Sequence, residues 1–405
     1  MSKPNFSDKT ALLIEDMAEA RIMQKKMLND FGFKSIEIAM KAESAIELLR
    51  SRSYDVILSD YNLGNGKDGQ QLLEEVRHSH LIPNTSTYLM VTAETSTEMV
   101  MGAIEYAPDG YITKPFSQAM LERRLLKLLE NKELLLKVNK ALDKSDYETA
   151  INEAKVVSEK HPALISRCNR IVGDSLISLE RYKEALTVFR TCRKESRMPW
   201  AAFGEAKCHY FIGNIDKAES KFRQLTLDNK FFVSAYDWLA KTLVKKGEHE
   251  EAQAILVDAV GRSPKNLMRQ IELGKLSLEV RDNLMAEMSF RRAVFLAKHS
   301  CFNDAEVYIQ HMASIVALAR EGDIPSRQID NFQTTLNKVH QNFFKSPEVR
   351  TEAYLLEMEL YSALGDNKTM NQIEEVWNHE IEAGQASAPS ATAQKRVDHL
   401  KSLKS

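Results

Sequence analysis

Residues 56–69 read Val-Ile-Leu-Ser-Asp-Tyr-Asn-Leu-Gly-Asn-Gly-Lys-Asp-Gly. An apolar run ends abruptly on Asp60, and a glycine-rich loop follows. Asp and Gly often end strands at turns, so one such stretch says little alone. Its neighbours repeat the pattern. Thr10 to Ile14 is a second short apolar run, ending on Glu15 and Asp16. Ser35 to Ala39, Thr87 to Val91 and Tyr111 to Thr113 are further strand-like runs. Helical patterns lie between them, near 18–30, 42–50, 70–78 and 96–106, and another begins near Ser117. Five strands alternating with five helices predict a doubly wound α/β fold: a five-stranded parallel sheet covered on both faces. Apolar runs without strict alternation suit strands buried on both sides.

In open sheets of this kind, ligands bind at the carboxyl ends of the strands. Glu15 and Asp16 end the first strand, Asp60 the third, Thr92 the fourth and Lys114 the fifth. Three acids at one edge repel each other unless a cation joins them. Hard oxygen ligands without His or Cys select Mg²⁺ or a similar ion. A carboxylate beside such an ion, a lysine and a hydroxyl can attack and hold a phosphoryl group.

The motifs Ile14-Glu15-Asp16, Leu58-Ser59-Asp60, Val91-Thr92-Ala93 and Lys114-Pro115-Phe116 stand in order. Asp16 and Asp60 are 44 residues apart, and Thr92 and Lys114 are 22 apart. Residues 8–130 thereby resemble the receiver domain, of flavodoxin-like fold, of bacterial two-component response regulators. The resemblance implies that Asp60 accepts a phosphoryl group from a histidine kinase or phosphotransfer protein. It implies that Glu15, Asp16, Asp60 and the backbone carbonyl of Asn62 bind Mg²⁺. Lys114 would pair with the phosphoryl oxygens, Thr92 would hydrogen-bond them, and Tyr111 would be the aromatic switch. It further implies a receiver that can pair with a second copy. Asn62 and Glu94 occupy positions that tune aspartyl-phosphate lifetime in the family. Two departures stand out. Gly64 replaces a proline common four residues after the acceptor, and Gly69, nine residues after Asp60, makes the loop one residue longer than usual.

After residue 130 the strand signals stop and a repeat begins. Small residues recur at Ala150, Ala185, Ala218, Ala252 and Ala286, in steps of 35, 33, 34 and 34. Four positions later stand Ala154, Phe189, Phe222, Leu256 and Phe290. A second series, Val138, Gly173, Ala206, Ala240 and Gly274, lies twelve residues before the first. Each unit reads as two helices with small residues at their crossing, turning near 143–146, 180–181, 213–214 and 247–248. A period near 34 resembles the tetratricopeptide repeat, most closely from Tyr236 to Pro264. The implied architecture is an all-α superhelix whose concave face binds a signalling protein or peptide.

The domains expected are a receiver at 8–130, a helical linker or first repeat helix at 131–145 and repeats at 146–300. Irregular helical hairpins follow at 301–383, turning at Gly322-Asp323 and Gly365-Asp366, and a flexible Ala/Ser/Pro/Gln-rich tail at 384–405. Lys395, Arg396, Lys401 and Lys404 are expected to form a solvated basic end. No glycine or proline interrupts 117–144, so a continuous helix of about 40 Å is expected there, or a break at Asn131-Lys132.

The chain has 405 residues with a net charge of −2, which argues against nucleic acid and membrane surfaces. Cys168, Cys192, Cys208 and Cys301 are widely spaced and read as free thiols in a reducing compartment. With no signal-peptide pattern and no run of roughly 18 apolar residues, a cytoplasmic protein is expected. Motifs for nucleotide, zinc or dithiol chemistry are missing. The protein is therefore read as a phosphorylation-controlled adaptor and not as an enzyme, apart from the receiver's own phosphoryl chemistry. The alternatives are a cryptic enzymatic output such as a phosphatase in 300–380, or a transcription regulator.

Overall fold

The structure, a computed structural model, describes residues 6–93, 108–196 and 198–403. Among them the chain forms two compact units. One comprises residues up to 248 with 261–263; the other comprises 249–260 and everything from 264 on.

The first unit opens with β1 (Thr10–Ile14), α1 (Ala18–Phe31), β2 (Ser35–Ala39), α2 (Ala42–Ser51), β3 (Val56–Asp60), α3 (Gly69–His78), β4 (Thr87–Thr92), β5 (Gly110–Thr113) and α4 (Gln118–Leu134). The helix expected at 96–106 lies outside the described residues. The five strands are parallel in the order β2-β1-β3-β4-β5. Successive strand residues point to opposite faces, and two cores divide them accordingly. Leu12, Ile14, Ile57, Tyr88 and Met90 pack with Ile46 and Leu49 of α2 and Leu72 and Val76 of α3. Ala11, Leu13, Val56, Leu58, Leu89, Val91 and Ile112 pack with Leu28 of α1 and Leu121, Leu125 and Leu128 of α4. Every residue of β3 and β4 is buried, which is why these runs show no polar alternation.

The junction is not one continuous helix. It breaks at Leu135 (φ −97°, ψ 13°), four residues beyond Asn131, and resumes as α5 (Leu136–Asp143). Lys132, expected at a possible break, is inside α4 and buried. Leu135 and Val138 are fully buried in the first repeat's core with Ala150 and Ala154. Bending there turns Leu121, Leu125 and Leu128 of α4 to the sheet and Val138 and Ala141 of α5 to the repeats.

The repeats continue as α6 (Tyr147–Lys160), α7 (Ile165–Ser178), α8 (Tyr182–Ser196), α9 (Pro199–Ile212), α10 (Ile215–Asp228) and α11 (Val233–Lys246). The second unit holds most of α12 (His249–Arg262), then α13 (Leu267–Glu279), α14 (Asn283–Ala297), α15 (Ala305–Glu321), α16 (Ser326–Asn342), α17 (Pro347–Ala363), α18 (Asn367–Glu382) and α19 (Ala391–Ser402). All five alanine anchors are fully buried. A residue with positive φ recurs in the turns at Ser145, Glu180, Gly213, Gly247 and Arg281. The hairpins expected to turn at 322 and 365 are present.

The tail departs from expectation. Residues 391–402 are helical, and Ala393, Val397 and Leu400 are buried with Tyr354, Met358, Met370 and Trp377. Ser390 caps the helix through the Ala393 amide. Arg396 holds Glu352 at 2.6 Å and Glu359 at 2.8 Å, and Lys401 holds Glu374 at 2.6 Å. The low-complexity composition hid an apolar stripe at steps of four and three, and two of the basic residues, Arg396 and Lys401, are ion-paired, not merely solvated; Lys404 lies outside the described residues. All four cysteines are free thiols, three of them buried. No helix among the described residues is long and apolar enough to cross a membrane.

Candidate functional site

The parallel register sets Ile14 beside Ser59, Asp60 beside Val91 and Thr92 beside Thr113. The residues that follow these strands therefore share one edge. Lys114 is positioned by its amide, which donates to the Thr92 carbonyl at 2.7 Å; the Lys114–Pro115 peptide is cis. The Lys114 ammonium reaches Glu15 Oε2 at 2.9 Å and Asp60 Oδ2 at 3.0 Å. Glu15 is fully buried, Asp60 is 6% exposed and Thr92 is 4% exposed. Ligand oxygens of Glu15, Asp16 and Asp60 lie within 4.8 Å of one another.

Burial pushes the Asp60 carboxyl up to about 6; the Lys114 hydrogen bond opposes this and the Glu15 charge adds to it. Burial lowers the Lys114 ammonium, but its bonds to Glu15 and Asp60 outweigh that and leave it above its usual range. Lys114 alone does not balance three clustered carboxyl groups. The remaining deficit, met only by oxygen donors, fits a hard divalent cation.

Several positioning residues escaped the sequence reading. Gln24 donates to Glu15 Oε2 at 2.7 Å and is buried on the face of α1 that carries Leu28. A polar residue four positions from a core leucine was the available signal. Arg21 holds the carbonyls of Glu15 and Asp16 at 3.0 and 2.9 Å. The Tyr61 amide donates to Asp60 Oδ1 at 2.9 Å. Asp68 and Gln71 form a capping box that starts α3.

Both glycine departures have a local cause. Gly64 has φ +69°, and a Cβ there would lie 2.9 Å from Asp16 Oδ2. Proline, fixed near −65°, cannot take this conformation. Gly69 lies against the Asp60 backbone: a Cβ would fall 2.2 Å from the Asp60 carbonyl oxygen and 2.9 Å from Tyr61 Cα. Its amide donates to the Tyr61 carbonyl at 2.7 Å, closing the loop.

Asn62 is exposed just beyond the acidic cluster. Tyr111 packs against the core that includes Tyr61 and Tyr88, and its enclosed hydroxyl has no hydrogen-bond partner among the described residues. Glu94 lies outside the described residues.

Residues 11–126 match the response regulator receiver domain, and residues 233–266 match the tetratricopeptide repeat. Chemotaxis protein CheY-3 of Vibrio cholerae is 31% identical over 119 residues, spanning 29% of this chain and 90% of that protein. Chemotaxis protein CheY of Pseudomonas aeruginosa is 30% identical over 119 residues, spanning 29% of this chain and 94% of that protein. The solved structure of the chemotaxis response regulator CheY4 of Vibrio cholerae has 27% identity and a TM-score of 0.28, covering 30% of this chain and 99% of its own. The chain belongs to the response regulator receiver family. Its particular form joins that receiver to a helical region containing a tetratricopeptide repeat.

Proposed function

We propose that this protein is a response regulator whose Asp60 is phosphorylated with the aid of Mg²⁺, and that this event controls protein binding by the repeats. The observation that carries the reading is the buried Asp60 carboxyl, with Lys114 at 3.0 Å and the Glu15 and Asp16 oxygens beside it. An Asp60 carboxylate oxygen attacks phosphorus, the bond to the donor breaks, and a mixed anhydride forms. A histidine kinase or phosphotransfer protein is the proposed donor. Lys114, held between Glu15 and Asp60, would bond an oxygen of the new phosphoryl group. Thr92, buried at the end of β4, is placed on the same edge. Glu15, Asp16, Asp60 and the Asn62 carbonyl would hold Mg²⁺, which when bound neutralises charge on the phosphoryl oxygens. Tyr111 is the proposed switch.

The output is proposed to be binding and not catalysis. Next to and within the helical hairpins where a hidden enzyme was the alternative, Thr335 and His311 come within 3.0 Å, and His311 and Glu287 within 3.5 Å. All three are 2% exposed or less, so this trio is a buried helix-crossing contact closed to substrate.

Incubation of the full chain with Mg²⁺ and a small acyl phosphate should add one phosphoryl group, labile in hydroxylamine and seen by intact mass. Asp60→Asn should abolish it. Label retained by that variant at the wild-type level would remove Asp60 as acceptor.

A further inference from the structure

α9 and α11 are the first helices of two successive hairpins. On α9, Phe203, Lys207, Tyr210 and Phe211 fall on one face; on α11, Trp238, Lys241 and Lys245 do so. These residues meet. The Trp238 ring lies 6.3 Å from Phe203, 5.4 Å from Tyr210 and 5.5 Å from Phe211, all near-perpendicular, and 6.1 Å from Phe222, stacked. Tyr182 stacks on Phe211 at 4.9 Å.

Three ammonium groups sit on this aromatic platform. Lys207 is 5.1 Å from the Trp238 ring centre, Lys241 is 4.9 Å from it, and Lys245 is 4.5 Å from that of Tyr210. None of the three is in an ion pair among the described residues. Their neighbours are treated differently. Lys246, next to Lys245, holds Glu219 at 2.6 Å. Arg193 and Lys221 each hold Glu205 at 2.9 Å. Of the nearby acids, Asp174 of α7 is 3.6 Å from Arg170 and its charge also reaches Lys207, and Asp237 precedes Trp238 in α11.

Burial pushes the Lys207 ammonium below its usual range, and Lys207 is only partly exposed beside the exposed Lys241 and Lys245. Lysine stems that merely cover apolar surface release their ammonium groups to water. Here Lys207 is held against the rings, and three like charges share one platform with no carboxylate in salt-bridge contact among the described residues. An arriving anion would recover that electrostatic cost.

We propose that this aromatic–lysine face of α9 and α11 docks an acidic segment of a partner protein. Its carboxylates would meet Lys207, Lys241 and Lys245, and an apolar side chain would rest on Phe211, which is 37% exposed, and on the Trp238 edge. The inference rests on the reading that the repeats bind protein, and it names the chemistry they select. Single-stranded nucleic acid needs open aromatic faces for its bases. Trp238 is already stacked by Phe222 and topped by two ammonium groups, and Phe211 is stacked by Tyr182. Acidic protein is therefore the favoured occupant.

The test uses the full chain and a short fluorescein-labelled peptide alternating Glu with Leu, read by anisotropy. Matched probes carry Lys in place of Glu, or are oligouridine of equal charge. The Glu peptide should bind, weaken with added salt, and lose at least about tenfold in affinity to the double variant Lys241→Glu, Lys245→Glu. Both lysines are exposed, so the variant should melt like wild type. It should also gain binding of the Lys peptide, a swap that general destabilisation cannot produce. No binding of the Glu peptide to wild type, binding unaffected by the reversal, or tighter binding of oligouridine lost in the same variant would each overturn the proposal. Asp60 labelling is read separately in the same variant. Failure of wild type to bind the Glu peptide, with labelling intact, would therefore sink this inference while leaving the receiver chemistry standing.

Discussion

Burial and the Glu15 charge raise the Asp60 carboxyl to about 6, from an ordinary aspartate value of 3.8. A carboxyl raised by folding makes the native state prefer the protonated form. Folding stability is then lost as pH rises from about 4 through 6, by about 1.4 kcal/mol for each pH unit in that window. Asp60→Asn, which stays neutral, should escape that loss. Without divalent cations, the variant's stability relative to wild type should fall by roughly 1 kcal/mol between pH 7 and pH 5, measured by urea unfolding. A difference that does not change with pH would mean that Asp60 titrates normally. Mg²⁺ at pH 7 should stabilise wild type more than the variant, through preferential binding to the native state. At the same scale, Gly69→Ala sets a methyl 2.2 Å from the Asp60 carbonyl oxygen. Backbone cannot yield as a side chain can, so the loop must shift. Phosphorylation of that variant should fall at least about tenfold, a loss that needs only about 1.4 kcal/mol of misplacement. Wild-type rates would show that the close approach is immaterial.

The helices of the repeats cross where large side chains meet missing ones. A Cβ on Gly173 would lie 2.4 Å from the Phe189 ring, and one on Gly274 would lie 2.7 Å from Phe290. Two effects compete in Gly173→Ala. Helix propensity favours alanine by about 1 kcal/mol, while overpacking a fully buried ring costs roughly 1–3 kcal/mol. Because Phe189 is also pressed against Gly204, it has little room to retreat, and the steric cost should win. The variant's melting temperature should drop; a rise would show that the ring can move aside. These elements were legible because spacing exposed them. The anchors at Ala150, Ala185, Ala218, Ala252 and Ala286 needed only a period, and the strand ends needed only their apolar runs. What spacing does not carry was missed. The bend at Leu135 is set by two different cores pulling on one leucine stripe. The α19 helix was hidden by composition, since Ala393, Val397 and Leu400 are few among Ser, Ala and Lys. Gln24 and Arg21 were missed because their partners, Glu15 and the Glu15 and Asp16 carbonyls, are brought to them only when α1 folds back along β1.

Across the first unit, the receiver and the start of the repeats are joined by a polar knot, buried at Asp109 and Lys132, at the edge opposite Asp60. Asp109, just before β5, accepts the Tyr88 amide at 2.9 Å and Lys132 of α4 at 2.7 Å, with Arg167 of α7 at 3.8 Å. Lys132 also donates to the Asn84 carbonyl at 2.7 Å, and Asp143 at the end of α5 accepts the Asn84 amide at 2.7 Å. Burial lowers the Lys132 ammonium while Asp109 opposes that fall, so the contact depends on its partner staying in place. β5 therefore has Lys114 of the candidate site beyond one end and the Asp109 knot at the other. A shift of β5 on phosphorylation would reach α4, the Leu135 bend and α7. Taking a two-state switch from mostly off to mostly on requires about 5 kcal/mol of differential binding, which a buried, cation-paired phosphoryl group can supply in good part. Phosphorylation of Asp60 is thus proposed to be transmitted to the repeats. The most direct measurement is hydrogen exchange of the full chain with Mg²⁺, with and without beryllofluoride as the phosphoryl mimic. Altered protection is expected from β5 through α5, including residues 108–142 and the segment around Arg167. Changes confined to the neighbourhoods of Asp16, Asp60, Thr92 and Lys114 would contradict it.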